Sequence, residues 1–279
     1  MNHDYSAGED PEKISLHHAL LLENGGVITI VGAGGKTSLM FQLAKVLSST
    51  GDTVLTTTTT KISEPHADQS PCTIVSENVS AIIREATRRI PEHLHITAAY
   101  ARSRSQDISQ GKLIGFMPGD IDRLWQSGLF RWIIVEADGA AGRPLKVPST
   151  HEPVIPACSD WVIGVMGLSA CGNPLTDKWV FRLKLVSTLT GLRPGETITD
   201  GAIVTTLCHD SGILKGSPLG AKRIAFLNQA DTPERIAAGR RIIAHMADRN
   251  QTCRYQRVVL GQLLFDPMVV DFADLHSPE

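Results

Sequence analysis

Val27-Ile28-Thr29-Ile30-Val31-Gly32-Ala33-Gly34-Gly35-Lys36-Thr37-Ser38 decides how the rest of the chain is organised. Residues 27–31 are a continuous apolar run that predicts a strand, ended by the glycine cluster at 32–35. Helical spacing follows over 37–49, with Leu39, Leu43 and Leu47 on one stripe and Gly51 as the stop. A glycine turn between strand and helix lets several backbone N–H groups converge on an anion. The helix N-terminus adds its partial positive charge. Gly32, Ala33, Gly34, Gly35, Lys36, Thr37 and Ser38 are therefore the expected phosphate-binding loop. Lys36 is placed to neutralise β- and γ-phosphates. The Thr37 hydroxyl is placed to hold Mg²⁺, a hard cation that prefers oxygen.

The common G-x-x-x-x-G-K-[ST] pattern would need its first glycine at position 30, which is Ile30. The shortened G-x-x-G-K-T form, beginning at Gly32, resembles the loop of Mur-type ligases more than that of Ras-like GTPases.

Outward from this loop, apolar runs alternate with helical stretches. Strands are expected at 53–57, 72–75, 132–135, 161–166, 223–227 and 258–264, with a hairpin-like excursion at 96–101 and 112–116. Helices are expected at 79–90, 120–129, 176–191, 200–208 and 232–246, the last capped by Thr232 with Pro233 at its first position. Such alternation predicts a three-layer, P-loop NTPase-like α/β fold, with a mostly parallel sheet and helices on both faces. Residues 1–15 are expected to be a flexible N-terminal segment, and 16–279 a single nucleotide-binding domain with insertions.

Composition narrows the function. The 279 residues are 42% hydrophobic and 20% charged, enough for a full core. Lys plus Arg number 27 against 29 Asp plus Glu, which argues against nucleic acid as the partner. Aromatic residues, at 5%, are too few for base-stacking platforms. No apolar run reaches the ~18 residues of a membrane span, and residues 1–13 lack the pattern of a secretory signal, so a cytoplasmic protein is expected. The five cysteines include no C-x-x-C pair and are expected to be mainly buried thiols.

Two strand ends carry further chemistry. Thr56 to Thr60, followed by Lys61, end the second predicted strand, where ligands gather in parallel sheets. Thr58, Thr59 or Thr60 could there meet Mg²⁺ or the γ-phosphate, or the run could simply be a strand edge. Trp132-Ile133-Ile134-Val135-Glu136-Ala137-Asp138-Gly139 has the form of a Walker B element. Glu136 and Asp138, two apart, would share one face; one would serve the metal and the other the nucleophile. Beyond them, Arg143, Lys146, His151 and Glu152, with Lys61, are the candidate contacts to a small anionic substrate. Lys146 is also a candidate for stabilising charge developing on phosphate. Asn228-Gln229-Ala230-Asp231 follows an apolar strand and differs from the guanine-reading N-K-x-D only in its second residue. Asn228 and Asp231 favour GTP, while Gln229 and the loop shape leave ATP open.

In order along the chain these pieces resemble the YqeC family. The matching runs are 31–38, 56–62, 135–140, 143–146, 151–156 and 227–231. The resemblance implies a P-loop accessory factor in the maturation of selenium-containing molybdenum hydroxylases. The family often has Lys at the position of Gln229, and a His-Arg pair where this chain has Phe181-Arg182. Two functions are open at this point. One is a Mg²⁺-dependent NTPase that transfers phosphate to, or activates, a small anionic substrate. The other is a nucleotide-switched chaperone that delivers a cofactor to a molybdenum hydroxylase apoprotein.

Overall fold

The computed structural model describes residues 14–103, 111–248 and 253–275. The expected flexible segment thus lies outside the described residues except for Ile14 and Ser15. A short helix α1 (Leu16–Ala19) leads into β1 (Gly26–Gly32) and α2 (Lys36–Ser49). Next come β2 (Val54–Thr58), β3 (Lys61–Ser63), β4 (Thr73–Val75), α3 (Val79–Arg89), β5 (His95–Ala99) and β6 (Ala101–Ser103). Strand β7 (Lys112–Ile114), α4 (Pro118–Gln126), β8 (Trp132–Glu136), β9 (Leu145–Lys146) and β10 (Trp161–Gly167) carry the chain through its middle. The last third holds β11 (Val180–Phe181), α5 (Leu183–Thr190), α6 (Asp200–Cys208), β12 (Lys222–Asn228), α7 (Pro233–Asp248), β13 (Arg257–Gly261) and β14 (Val269–Asp274).

Nine strands form one sheet in the order β14-β13-β12-β10-β1-β8-β2-β5-β4. All pair in parallel except β13 with β14. The central strand β1 is buried throughout, as its unbroken apolar sequence requires. Alternate residues feed two cores. Ile28, Ile30, Trp132 and Ile134 pack with Leu39 and Leu43 of α2, whereas Val27, Ile133 and Val135 pack with Ile82 of α3 and Ile121 of α4. Farther along the same sheet, Ala225, Leu227 and Val258 pack with Ile203 of α6 and Ile242 of α7. The fold is a three-layer α/β structure with a mostly parallel sheet.

Local chemistry sets the helix starts. The Asn78 side chain accepts from the amides of Ser80 and Ala81, and Thr199 accepts from that of Ala202. Thr232 accepts from the Arg235 amide ahead of α7, as expected.

The helix expected over 176–191 is shorter. Val180 and Phe181 instead pair with Leu145 and Lys146, and α5 begins only after Arg182, whose left-handed backbone (φ 64°) breaks any helix across it. The excursion expected over 96–101 and 112–116 is only partly one: residues 96–99 belong to β5, paired in parallel with β2 and β4 in the main sheet, while β6 pairs with β7, which also takes β3 into a separate three-stranded sheet. Cys208 and Cys253, expected as thiols, are joined as a disulfide with Cα atoms 4.6 Å apart. They are 45 residues apart in sequence, so only the packing of α6 beside the approach to β13 brings them together.

Ile134 is completely buried at the sheet centre. Ile134→Ala should lower unfolding free energy by about 2–5 kcal/mol in urea denaturation; a loss below about 1 kcal/mol would contradict this packing.

Candidate functional site

Strand β1 hands the chain directly to α2 through Ala33, Gly34 and Gly35. The turn is tight because three backbones converge on it. A Cβ on Gly34 (φ +82°) would lie 2.4 Å from the Gly167 nitrogen, and one on Gly35 (φ +129°) 2.1 Å from Asn228 Nδ2. Two partners hold the loop from β10 and β12. The Ala33 amide donates to Val165 O (2.9 Å), and Asn228 Nδ2 donates to Gly34 O (2.7 Å).

Neighbouring β8 supplies the acids. Thr37 Oγ1 donates to Glu136 Oε2 at 2.7 Å. The Lys36 ammonium donates to Gly32 O (2.8 Å) and lies 3.6 Å from Glu136 Oε1 and 3.4 Å from Asp138 Oδ1. Burial pushes the Glu136 carboxyl up, against the opposing pull of Lys36 and Thr37. The two carboxylates, expected to share a role, are separated by their surroundings. Glu136 lines the cavity described below, whereas Asp138 is wholly buried; its Oδ2 accepts from the Gly32 amide (3.1 Å) and forms an ion pair with Lys146 (2.8 Å).

Lys146 and Glu152 are not in that cavity's lining, contrary to the expectation for substrate contacts. Lys146 is fully buried and bridges Asp138, Gly139 O and Glu152 Oε2. Glu152 also receives a two-pronged contact from Arg182. Arg182 thus ends a chain of ion pairs, Arg182–Glu152–Lys146–Asp138, half-buried at Arg182 and Glu152 and fully buried at Lys146 and Asp138, that sequence alone did not disclose. His151 is exposed and also outside the lining. The threonine run is structural: Thr58 Oγ1 donates to Glu136 O (2.6 Å), Thr57 to Ala98 O (2.8 Å) and Thr59 to Val154 O (2.8 Å). The expected metal role of Thr58 therefore meets a buried hydroxyl already spent on the backbone that carries Glu136.

A cavity of about 590 Å³ opens over the loop, lined by residues 34–38, Glu136, Lys61, Lys112 and Arg143 among others. Its lining holds four basic side chains and one acid, an excess of positive charge. Lys61 and Arg143, expected as substrate contacts, are both in this lining. Lys112 was missed because its place depends on β7 pairing with β3, which sets Ser63 opposite Lys112. A smaller cavity of about 110 Å³ adjoins the loop on the β12 side, lined by Asn228, Asp231, Gln262 and Leu264 among others.

Burial alone would raise the Glu152 carboxyl, but hydrogen bonds from Arg182 and Lys146 hold it at about 2. Its folded pKa lies below the unfolded value, so its stabilisation is present above about pH 4.5 and fades as pH falls toward 2. Glu152→Gln should therefore be less stable than wild type at pH 7, with the gap closing below pH 4. A gap that persists unchanged at pH 2.5 in thermal melts would contradict this chain of ion pairs.

Comparison with known proteins places the chain in a family. The family model described as "YqeC protein" matches residues 28–184, the stretch that carries the loop, both acids and the chain of ion pairs. The chain is 38% identical over 212 residues to "Uncharacterized protein YqeC" of Escherichia coli (strain K12), an alignment covering 76% of this chain and 79% of that protein. With the family model matched over more than half of its length and this relative over three quarters of it, the chain belongs to the YqeC family.

Proposed function

We propose that the protein is a Mg²⁺-dependent nucleoside triphosphate-binding accessory factor that transfers phosphate to, or activates, a small anionic substrate. The observation that carries this reading is the glycine turn with Lys36 and Thr37 at the start of α2, opening into a basic cavity that contains Glu136. The loop amides, the helix N-terminus and Lys36 would bind the phosphates. Thr37 and Glu136, hydrogen-bonded to each other at the cavity edge, are an oxygen donor pair that fits Mg²⁺. Mg²⁺ would supply charge neutralisation across the β- and γ-phosphates.

The chain's own groups divide the remaining work. Glu136, beside Thr37 in the cavity, would also orient the attacking nucleophile. Asp138 and Lys146 act from behind, since Asp138 grips the Gly32 amide and Lys146 compensates its charge. Lys61, Lys112 and Arg143 line the open side of the cavity and would receive the anionic substrate. Membership in the YqeC family supports placing this chemistry in the maturation of a selenium- or molybdenum-containing hydroxylase, the role that its resemblance implies.

Lys36→Ala should weaken Mg-nucleotide binding by about ten- to hundredfold in calorimetry. Unchanged affinity would sink the phosphate-site reading. Glu136→Gln should weaken Mg²⁺-dependent nucleotide binding and lose about 10²-fold or more of turnover; full turnover in this variant would remove Glu136 from the chemistry.

A further inference from the structure

We infer that the smaller cavity beside the phosphate loop selects guanine, so that the nucleotide is a guanine nucleotide; this rests on the nucleotide reading above. Four features carry it. The cavity lies where the carboxyl ends of β12 and β13 meet the loop, and it shares Gly34, Gly35, Ser38 and Gln229 with the larger, phosphate-sized cavity. One ligand can therefore occupy both.

Its lining offers a flat apolar shelf. Leu264, immediately after the buried Leu263, is 80% exposed although it is apolar, and a planar ring lying on it would remove that surface from water.

Its polar lining is rich in acceptors. Asn228 is 95% buried, and while its Nδ2 is spent on Gly34 O, its Oδ1 has no hydrogen-bond partner among the described residues. A buried acceptor left unmatched is unfavourable and calls for a donor from a ligand. Asp231 engages Arg235 through Oδ1, and its Oδ2 has no hydrogen bond among the described residues.

The bases differ in what they offer such a lining. Guanine presents N1–H and the N2 amino group side by side, donors matched to a carboxylate. Adenine presents one amino group next to N1, an acceptor that would face the Asp231 carboxylate unfavourably. Xanthine has a carbonyl where guanine has its N2 amino group, so it too is rejected by a carboxylate but accepted by an amide.

The test is calorimetry of the full chain with Mg²⁺ and GDP, ADP or XDP, on wild type and on Asp231→Asn. Wild type is expected to prefer GDP over ADP by about tenfold or more. The variant is expected to lose that preference and gain XDP binding at least tenfold, a gain that a merely damaged fold would not produce. Equal binding of GDP and ADP by wild type, or a preference for ADP, overturns the inference and leaves the phosphate site standing. GDP preference that survives unchanged in Asp231→Asn overturns the assignment to this cavity. Absence of binding by all three overturns this inference together with the reading beneath it.

Discussion

A carboxylate wholly removed from water needs opposite charge around it, and the way Asp138 finds it organises the site. Its Oδ2 accepts from the Gly32 amide and pairs with the Lys146 ammonium, and its Oδ1, with no hydrogen bond of its own among the described residues, faces Lys36 at 3.4 Å, which ties the end of β1 to the segment after β8. Breaking such a buried pair by removing one partner typically costs about 3–5 kcal/mol, because the remaining charge is stranded. Lys146 in turn needs a second anion, Glu152, and Glu152 is held by Arg182. The constraint thus spreads from the phosphate loop to the start of α5, and it accounts for the interrupted helix there: Phe181 pairs with Lys146, and Arg182 turns left-handed beside it.

This arrangement frees Glu136 for the cavity. Two carboxylates two residues apart at one strand end look equivalent on paper. One is absorbed by the fold and the other remains beside Thr37 and the open space over the loop. A similar division holds among the lysines. Lys146 is structural, whereas Lys61 and Lys112 line the opening and have no ion pair among the described residues.

Much of the fold was legible because strands buried on both faces must be apolar throughout, and helices covering them must show a 3.6-residue stripe. The strands at 132, 161 and 223 and the helices at 79 and 200 follow that rule closely. The two-residue strands β9 and β11 and the three-residue β3 were not legible, since so few residues have no periodicity to detect. The short helix α5 was overextended because Thr176 to Gly191 has helical spacing but no local mark of the left-handed turn at Arg182.

Sequence by itself determined the glycine turn before α2, the acidic strand end and the parallel α/β layering, because each is encoded by neighbours: glycines before Lys36 and Thr37, apolar runs before Glu136, stripes within single helices. Tertiary structure alone decided which polar groups face the cavity and which are consumed inside. Thr58, Lys146 and Glu152 carry suitable chemistry, but their partners lie on the Glu136 backbone, on Asp138 and on Arg182, and only the assembled sheet brings those partners within hydrogen-bonding distance. Desolvation makes each such group take the nearest available partner, and no local spacing specifies which one that is.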